Sequence, residues 1–183
     1  MTLFSVGAAG WAVFEVALSI RTRQGFAARR DPGPILLTLA VIAGIWLGVI
    51  AARSDDLVLP GPGWWPVALG LSVEAAGLAL RGWAVHELGR FFKFTVVVQA
   101  NHRVIDTGPY RHIRHPSYTG LLLVVLGLGI TLGTWLSIPA CLLPPLVGFV
   151  IRLLHEERVL AGELGEPYRT YMRRTRRLIP GVW

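Results

Sequence analysis

The densest chemistry in this chain lies in "RHIRHPSYTG", residues 111–120, where arginines and histidines crowd the mouth of a strongly apolar run. Gly108 and Pro109 make a turn before it, Pro116 breaks the preceding structure, and a helix is expected to begin near Ser117 or Tyr118. A helix start presents unpaired N–H groups and the positive end of the helix dipole, which suit a carboxylate or phosphate. Arg111, Arg114 and His115 add donors beside that end. An interfacial collar of headgroup-solvating arginines would also account for them singly. A second cluster is "RLLHEERVL", residues 152–160. Arg152 and Glu156 are spaced to share a helix face, with His155 and Glu157 flanking it. Alone this is an ordinary intrahelical ion pair, so its interest depends on what the rest of the chain brings to it.

The elements that must position these clusters are membrane spans. A chain of 183 residues that is 53% hydrophobic and 16% charged is too apolar for an ordinary soluble domain. Five segments approach the ~20 apolar residues needed to cross a bilayer, near 3–20, 35–52, 64–85, 119–136 and 138–154. The last two form a tight hairpin over about 119–154, with Ser137 available as a cap and Pro139 able to start the returning helix. That hairpin returns the Arg152–Glu156 cluster to the level where "RHPSY" begins, so an acid faces a cationic helix start. The expected fold is all-α, an integral membrane bundle of about five transmembrane helices in one domain. It divides into three N-terminal spans (1–85), a loop (86–118), the hairpin and a C-terminal segment (155–183).

Of the 18 Lys and Arg residues, all but Arg53 fall on one side of this arrangement. The positive-inside rule then predicts a cytoplasmic loop and C-terminus and an external N-terminus. No Lys or Arg precedes the first span, so an uncleaved span is expected rather than a signal peptide. The formal net charge of +7 does not point to nucleic acid, because the cations flank apolar runs and no groove-reading module is present. The one cysteine, Cys141, lies inside an apolar run and reads as a small buried residue. Glu15 and Glu74 lie well inside apolar segments and should face the bundle interior. Gly44 with Gly48, and Gly129 with Gly133, have the small-xxx-small spacing of close helix contacts. In the tail, Tyr168, Tyr171 and Met172 interleave with arginines, as in a basic helix on an anionic membrane surface, ending before Pro180. Such a helix could equally close a pocket.

"GPY…RHPSYTG" followed by "EERVLAGELGEPYRTY" and a late "IP" resembles, in order and spacing, the paired signature of the isoprenylcysteine carboxyl methyltransferases and related membrane methyltransferases, including phospholipid N-methyltransferases. The resemblance covers roughly 100–180. It implies S-adenosylmethionine in a cytoplasm-facing pocket built by the hairpin, the preceding loop and the C-terminal segment. By matched position, Gln99, His102, Arg103, Val104, Ile105, Tyr110, His115, Pro116, Ser117, Tyr118 and Glu156 would contact the cofactor. Arg152 would face the acceptor and, in a carboxyl methyltransferase, orient its carboxylate.

A carboxylate acceptor needs no general base. An amine, phenol or thiol would, and Glu157, His115 and Tyr118 are then candidates by proximity. The expected partners are the membrane and a lipid-like or prenylated acceptor drawn from it, and no metal is implied. Two other readings stand beside this one. Membrane sterol reductases have a similar C-terminal region but use NADPH, whose phosphates Arg103, Arg111 and Arg114 could bind. A non-catalytic membrane protein with an idle cofactor fold is the other.

Overall fold

A computed structural model describes residues 2–21, 32–54, 57–93 and 103–183. Those residues form five long helices and one short one: α1 (Thr2–Arg21), α2 (Gly33–Ala51), α3 (Trp64–Leu88), α4 (Pro116–Thr131), α5 (Ser137–Glu163) and α6 (Glu166–Arg174). No strand is formed among the described residues, as the all-α reading expects. Three helices, α2, α3 and α5, are long and apolar enough to cross a membrane, while α1 carries a shorter apolar stretch, Phe4–Leu18, and α4 is a shorter apolar helix. At ~1.5 Å per residue α4 is only about 24 Å long, less than the ~30 Å hydrocarbon core.

Lipid tails are as apolar as leucine, so helices in a membrane associate through close contact rather than water exclusion. The seam between α3 and α4 is made that way. A Cβ on Gly77 would lie 2.6 Å from the Gly120 carbonyl oxygen, and one on Gly127 would lie 2.5 Å from that of Gly70. These glycines recur every seventh residue on each helix, a spacing the sequence reading did not single out. Of the glycines it did, Gly44 and Gly48 pack on Cys141 and Pro145 of α5, and Gly129 packs on Ser137 and Ile138. Gly133 instead has φ +78° just past the end of α4, where the chain turns and only glycine adopts the conformation without strain.

The hairpin turn is tighter in its hydrogen bonding than expected. Thr134, not Ser137, caps the returning helix: its Oγ1 accepts from the Ser137 N–H at 3.1 Å. Ser137 is the first residue of α5 and sends its own hydroxyl back to the Gly129 carbonyl at 2.7 Å. The chain between α2 and α3 clips onto this turn through Leu59 N–H to Gly133 O and Trp135 N–H to Leu57 O, both 2.8 Å. The core between α4 and α5 is apolar, with Val124, Val125, Leu128, Phe149 and Leu153 fully enclosed and Cys141 among them.

The tail departs from the expected long basic helix. Helix α6 ends at Arg174, Thr175 is extended, and Arg176 forms an isolated parallel bridge with Ile113. Arg114 N–H donates to Arg176 O at 2.7 Å, His115 N–H to Arg177 O at 3.0 Å, and Arg176 N–H to His112 O at 3.1 Å. Pairing with residues 112–115 satisfies backbone groups that a longer helix would have used internally, so tertiary partners override local propensity.

Candidate functional site

One cavity of about 660 Å³ draws walls from all five long helices, from residues 103–110 and from α6. The walls from Tyr110, α4 and α5, its polar end, carry Tyr110, His115, Ser117, Tyr118, Arg152 and Glu156. Those from α1 and α2, its apolar end, are mainly apolar, with Trp11, Val16, Leu37, Val41 and Ile42 beside Glu15 and Thr38.

The polar end is positioned by the hairpin. Pro116 occupies the first turn of α4, where its missing N–H costs nothing, and His115 precedes it in a non-helical conformation. The same turn aims Tyr118 across the hairpin, and its hydroxyl donates to Glu156 Oε2 at 2.8 Å. The His115 ring stacks on Tyr118 at 5.5 Å between centroids, and Tyr118 leans on Phe149 at 5.2 Å. Arg152, one turn before Glu156, is buried and faces the same pocket. The two clusters separated in sequence by the hairpin therefore do meet.

Beside this pocket lies a polar clamp whose Arg114 and His115 also border the cavity. Arg114 Nε donates to Glu157 Oε1 at 2.7 Å, and its Nη1 serves the carbonyls of Met172 and Thr175. Arg177 Nε reaches the other oxygen, Oε2, at 3.0 Å, and His115 Nε2 lies 3.3 Å from Oε1. Glu157 is thus 3% exposed and held by two guanidinium groups on the face of α5 turned from the cavity. Proximity in sequence made it a candidate base. A carboxylate whose oxygens are both engaged by cations is instead suited to holding α5, the 112–115 segment and the tail together.

Helix α6 closes the pocket from outside. Tyr168 and Tyr171 are buried against it, and the Tyr171 hydroxyl donates to the Tyr110 carbonyl at 2.8 Å. Burial pushes both phenols well above their ordinary pKa, with the charges of Glu156 and Glu157 adding to the rise at Tyr168. Burial does the same to Tyr110. These groups stay protonated and act as donors and aromatic surfaces, not bases. Arg174 pairs with Asp106 on the outer side.

Arg103, Val104, Ile105, Tyr110, His115, Ser117, Tyr118, Arg152 and Glu156 all border the one cavity. Pro116 is enclosed and shapes the helix start. Gln99 and His102 lie outside the described residues. Sequence reasoning missed Arg81, which was counted as a loop cation. It sits within α3, 3% exposed, paired with Glu15 of α1 at 2.6 Å and donating to Ser117 Oγ at 2.6 Å. An arginine inside an apolar run was the available signal. Tyr168 and Tyr171, read as part of a basic helix lying on the membrane or closing a pocket, are pocket walls. Glu74 is buried in α3 where Gly7 of α1 passes, too close for a Cβ on that residue.

Comparison with known proteins agrees with this geometry. The family model described as "Isoprenylcysteine carboxyl methyltransferase (ICMT) family" matches residues 69–162. Protein-S-isoprenylcysteine O-methyltransferase B of Arabidopsis thaliana is 30% identical over 152 residues, covering 81% of this chain and 77% of the relative. The Tribolium castaneum protein-S-isoprenylcysteine O-methyltransferase is 32% identical over 120 residues, covering 64% and 43%. The solved structure of a eukaryotic intramembrane Ras methyltransferase superposes with a TM-score of 0.62 at 25% identity over 84% of this chain. The chain spans about half of that larger protein, 54% of its length. On the match across the hairpin and on the shared helical architecture, the chain belongs to the isoprenylcysteine carboxyl methyltransferase family of membrane methyltransferases.

Proposed function

We propose that this protein transfers a methyl group from S-adenosylmethionine to the carboxylate of a prenylated cysteine or a similarly lipid-like acceptor. The observation that carries the reading is the joining of a polar, aromatic end and an apolar end in one cavity. The donor set fits the cofactor: Glu156 offers an acceptor to its ammonium or hydroxyl groups, and Tyr110, His115, Tyr118, Tyr168 and Tyr171 offer ring faces to a cation or an adenine. When bound, the cofactor supplies a methyl group on a positively charged sulfur.

The rest falls to the chain. Transfer of that methyl is an in-line displacement, so the residues must hold donor and acceptor in register and keep water out. Phe149 and Tyr118 wall the reacting end, and Arg152 would orient the acceptor carboxylate through a bidentate contact. A carboxylate is already nucleophilic, which agrees with a site where Glu157 is committed to Arg114 and Arg177. Apolar walls on α1 and α2 would receive the prenyl chain, which favours staying in lipid by ~0.8 kcal/mol per CH₂. The asymmetric Lys and Arg distribution supports an external N-terminus, with the pocket and C-terminus facing the cytoplasm.

The test is calorimetric binding of S-adenosylhomocysteine and, separately, of NADPH to purified protein, followed by methyl transfer to N-acetyl-S-farnesylcysteine. Micromolar binding of the first ligand alone, with transfer to the acceptor, is expected. Binding of NADPH alone would move the chain to the reductases. Arg152→Ala should retain S-adenosylhomocysteine binding and lose acceptor turnover; equal loss of both would assign the arginine to the cofactor.

A further inference from the structure

Between the two ends of the cavity runs a continuous polar connection that the proposed chemistry does not use. Trp11 of α1 borders the apolar end, and its indole Nε1–H donates to Glu15 Oε1 at 3.2 Å. Arg81 Nη2 donates to Glu15 Oε2 at 2.8 Å, and Arg81 Nε stands 2.6 Å from Oε1 as an ion-pair contact without hydrogen-bond geometry, joining α1 to α3. Arg81 then donates through Nη1 to Ser117 Oγ at 2.6 Å, in the first turn of α4 at the polar end. Trp11, Glu15, Arg81 and Ser117 all border the cavity.

The placement of this connection is specific. A guanidinium held at once by the Glu15 carboxylate of α1 and the Ser117 hydroxyl of α4 is geometrically constrained, because its planar donors have fixed directions. A shift of α1 by an ångström at Trp11 or Glu15 therefore cannot be absorbed without moving Arg81 or releasing Ser117. Among the described residues helix α1 is a lightly anchored wall: it contacts α3 and α4, with Gly7 beside Glu74 and Phe14 beside Gly82. An apolar ligand pressing on Trp11 and Val16 would act on a lightly held wall that is tied to Arg81 through Glu15.

We infer that Trp11, Glu15, Arg81 and Ser117 form a positioning relay through which an acceptor in the apolar end sets the first turn of α4 and so tightens binding of the methyl donor. The inference rests on the two-compartment reading of the cavity given above. By linkage the effect is reciprocal: the donor tightens the acceptor by the same factor. Glu15 and Arg81 are positioning residues in this scheme. The device would favour donor and acceptor being held together over either being held alone.

The experiment measures the Kd of S-adenosylhomocysteine by calorimetry with and without saturating N-acetyl-S-farnesylcysteine, and reads the ratio of the two values. A loss of folded protein or of general pocket integrity does not change that ratio in the way loss of the relay does. About tenfold tightening is expected in the unmodified protein, within the usual range for coupled sites. Trp11→Phe, which removes only the indole donor, and Glu15→Gln, which removes the charge, should each reduce the ratio below about threefold. Trp11→Phe keeps the test decisive if Glu15→Gln does not fold. A tenfold ratio retained in the variants, or a ratio near one in the unmodified protein, overturns the relay while leaving the methyltransferase reading intact. Absence of S-adenosylhomocysteine binding altogether overturns that reading and the relay with it.

Discussion

Two faces of the last turns of α5 carry adjacent carboxylates with opposite surroundings. On one face Glu156 borders the cavity and accepts from the Tyr118 hydroxyl. On the other Glu157 is enclosed by Arg114, Arg177 and His115, which belong to the α4 approach and the C-terminal tail. The difference separates ligand recognition from scaffolding within a single residue step. A carboxylate aimed into a cavity is placed to exchange partners when a ligand arrives. One pinned by two guanidinium groups gives up that freedom to hold three chain segments in register.

The strongest way to break this comparison is Glu157→Ala. Removing it leaves Arg114 and Arg177 without their anion, and Arg114 is 9% exposed. Breaking such a buried pair costs about 3–5 kcal/mol. The expected result is a large fall in thermal stability in detergent, with S-adenosylhomocysteine binding lost because the tail and the 112–115 segment separate. A variant that melts normally yet turns over no substrate would return Glu157 to the reacting centre.

Glu156→Gln should do the reverse. The amide keeps the shape and can still accept from Tyr118, so the melting temperature should stay within about 2 °C. The lost charge removes a charge-assisted hydrogen bond worth about 1.5–3 kcal/mol, and S-adenosylhomocysteine affinity should fall by about 10- to 150-fold. Unchanged affinity by calorimetry would take Glu156 out of the cofactor site.

The difference between these two residues was not legible in the sequence, and the reason is physical. Spacing assigns Arg152 and Glu156 to one helix face, but not what covers the opposite face. That covering comes from residues 175–178, whose path depends on backbone pairing with 112–115. Sequence pattern instead favoured continuing the basic helix, since Arg176 and Arg177 extend the charge periodicity of α6. The convergence of "RHPSY" with "RLLHEE" was legible, because a short hairpin turn fixes where the returning helix ends. Arg81 was hidden by its neighbours: at the end of an apolar run it reads as a flanking cation, and only the packing of α1 and α4 on α3 shows that it points inward. The glycines at 70, 77, 120 and 127 escaped because close-contact glycines were sought at a four-residue spacing, whereas α3 and α4 meet every seventh residue.

The smallest expected effect sharpens the comparison at its boundary. Tyr171 belongs to α6, which borders the cavity on its inner side and carries the Arg174–Asp106 pair on its outer side. Tyr171→Phe removes one hydrogen bond, to the Tyr110 carbonyl, and keeps the ring that fills the wall. Loss of a neutral hydrogen bond of this kind costs about 0.5–1.5 kcal/mol. If the Tyr171 hydroxyl serves the scaffold, as its bond to the Tyr110 carbonyl and the tie of α6 to Arg114 through the Met172 carbonyl argue, that cost should appear in chemical denaturation while S-adenosylhomocysteine affinity changes by less than about threefold. A tenfold loss of affinity with unchanged stability would mean that the phenol hydroxyl turns to the ligand when the site is filled. The recognition surface would then extend from the cavity face of α5 onto α6, leaving Glu157 and Arg114 as the scaffold between them.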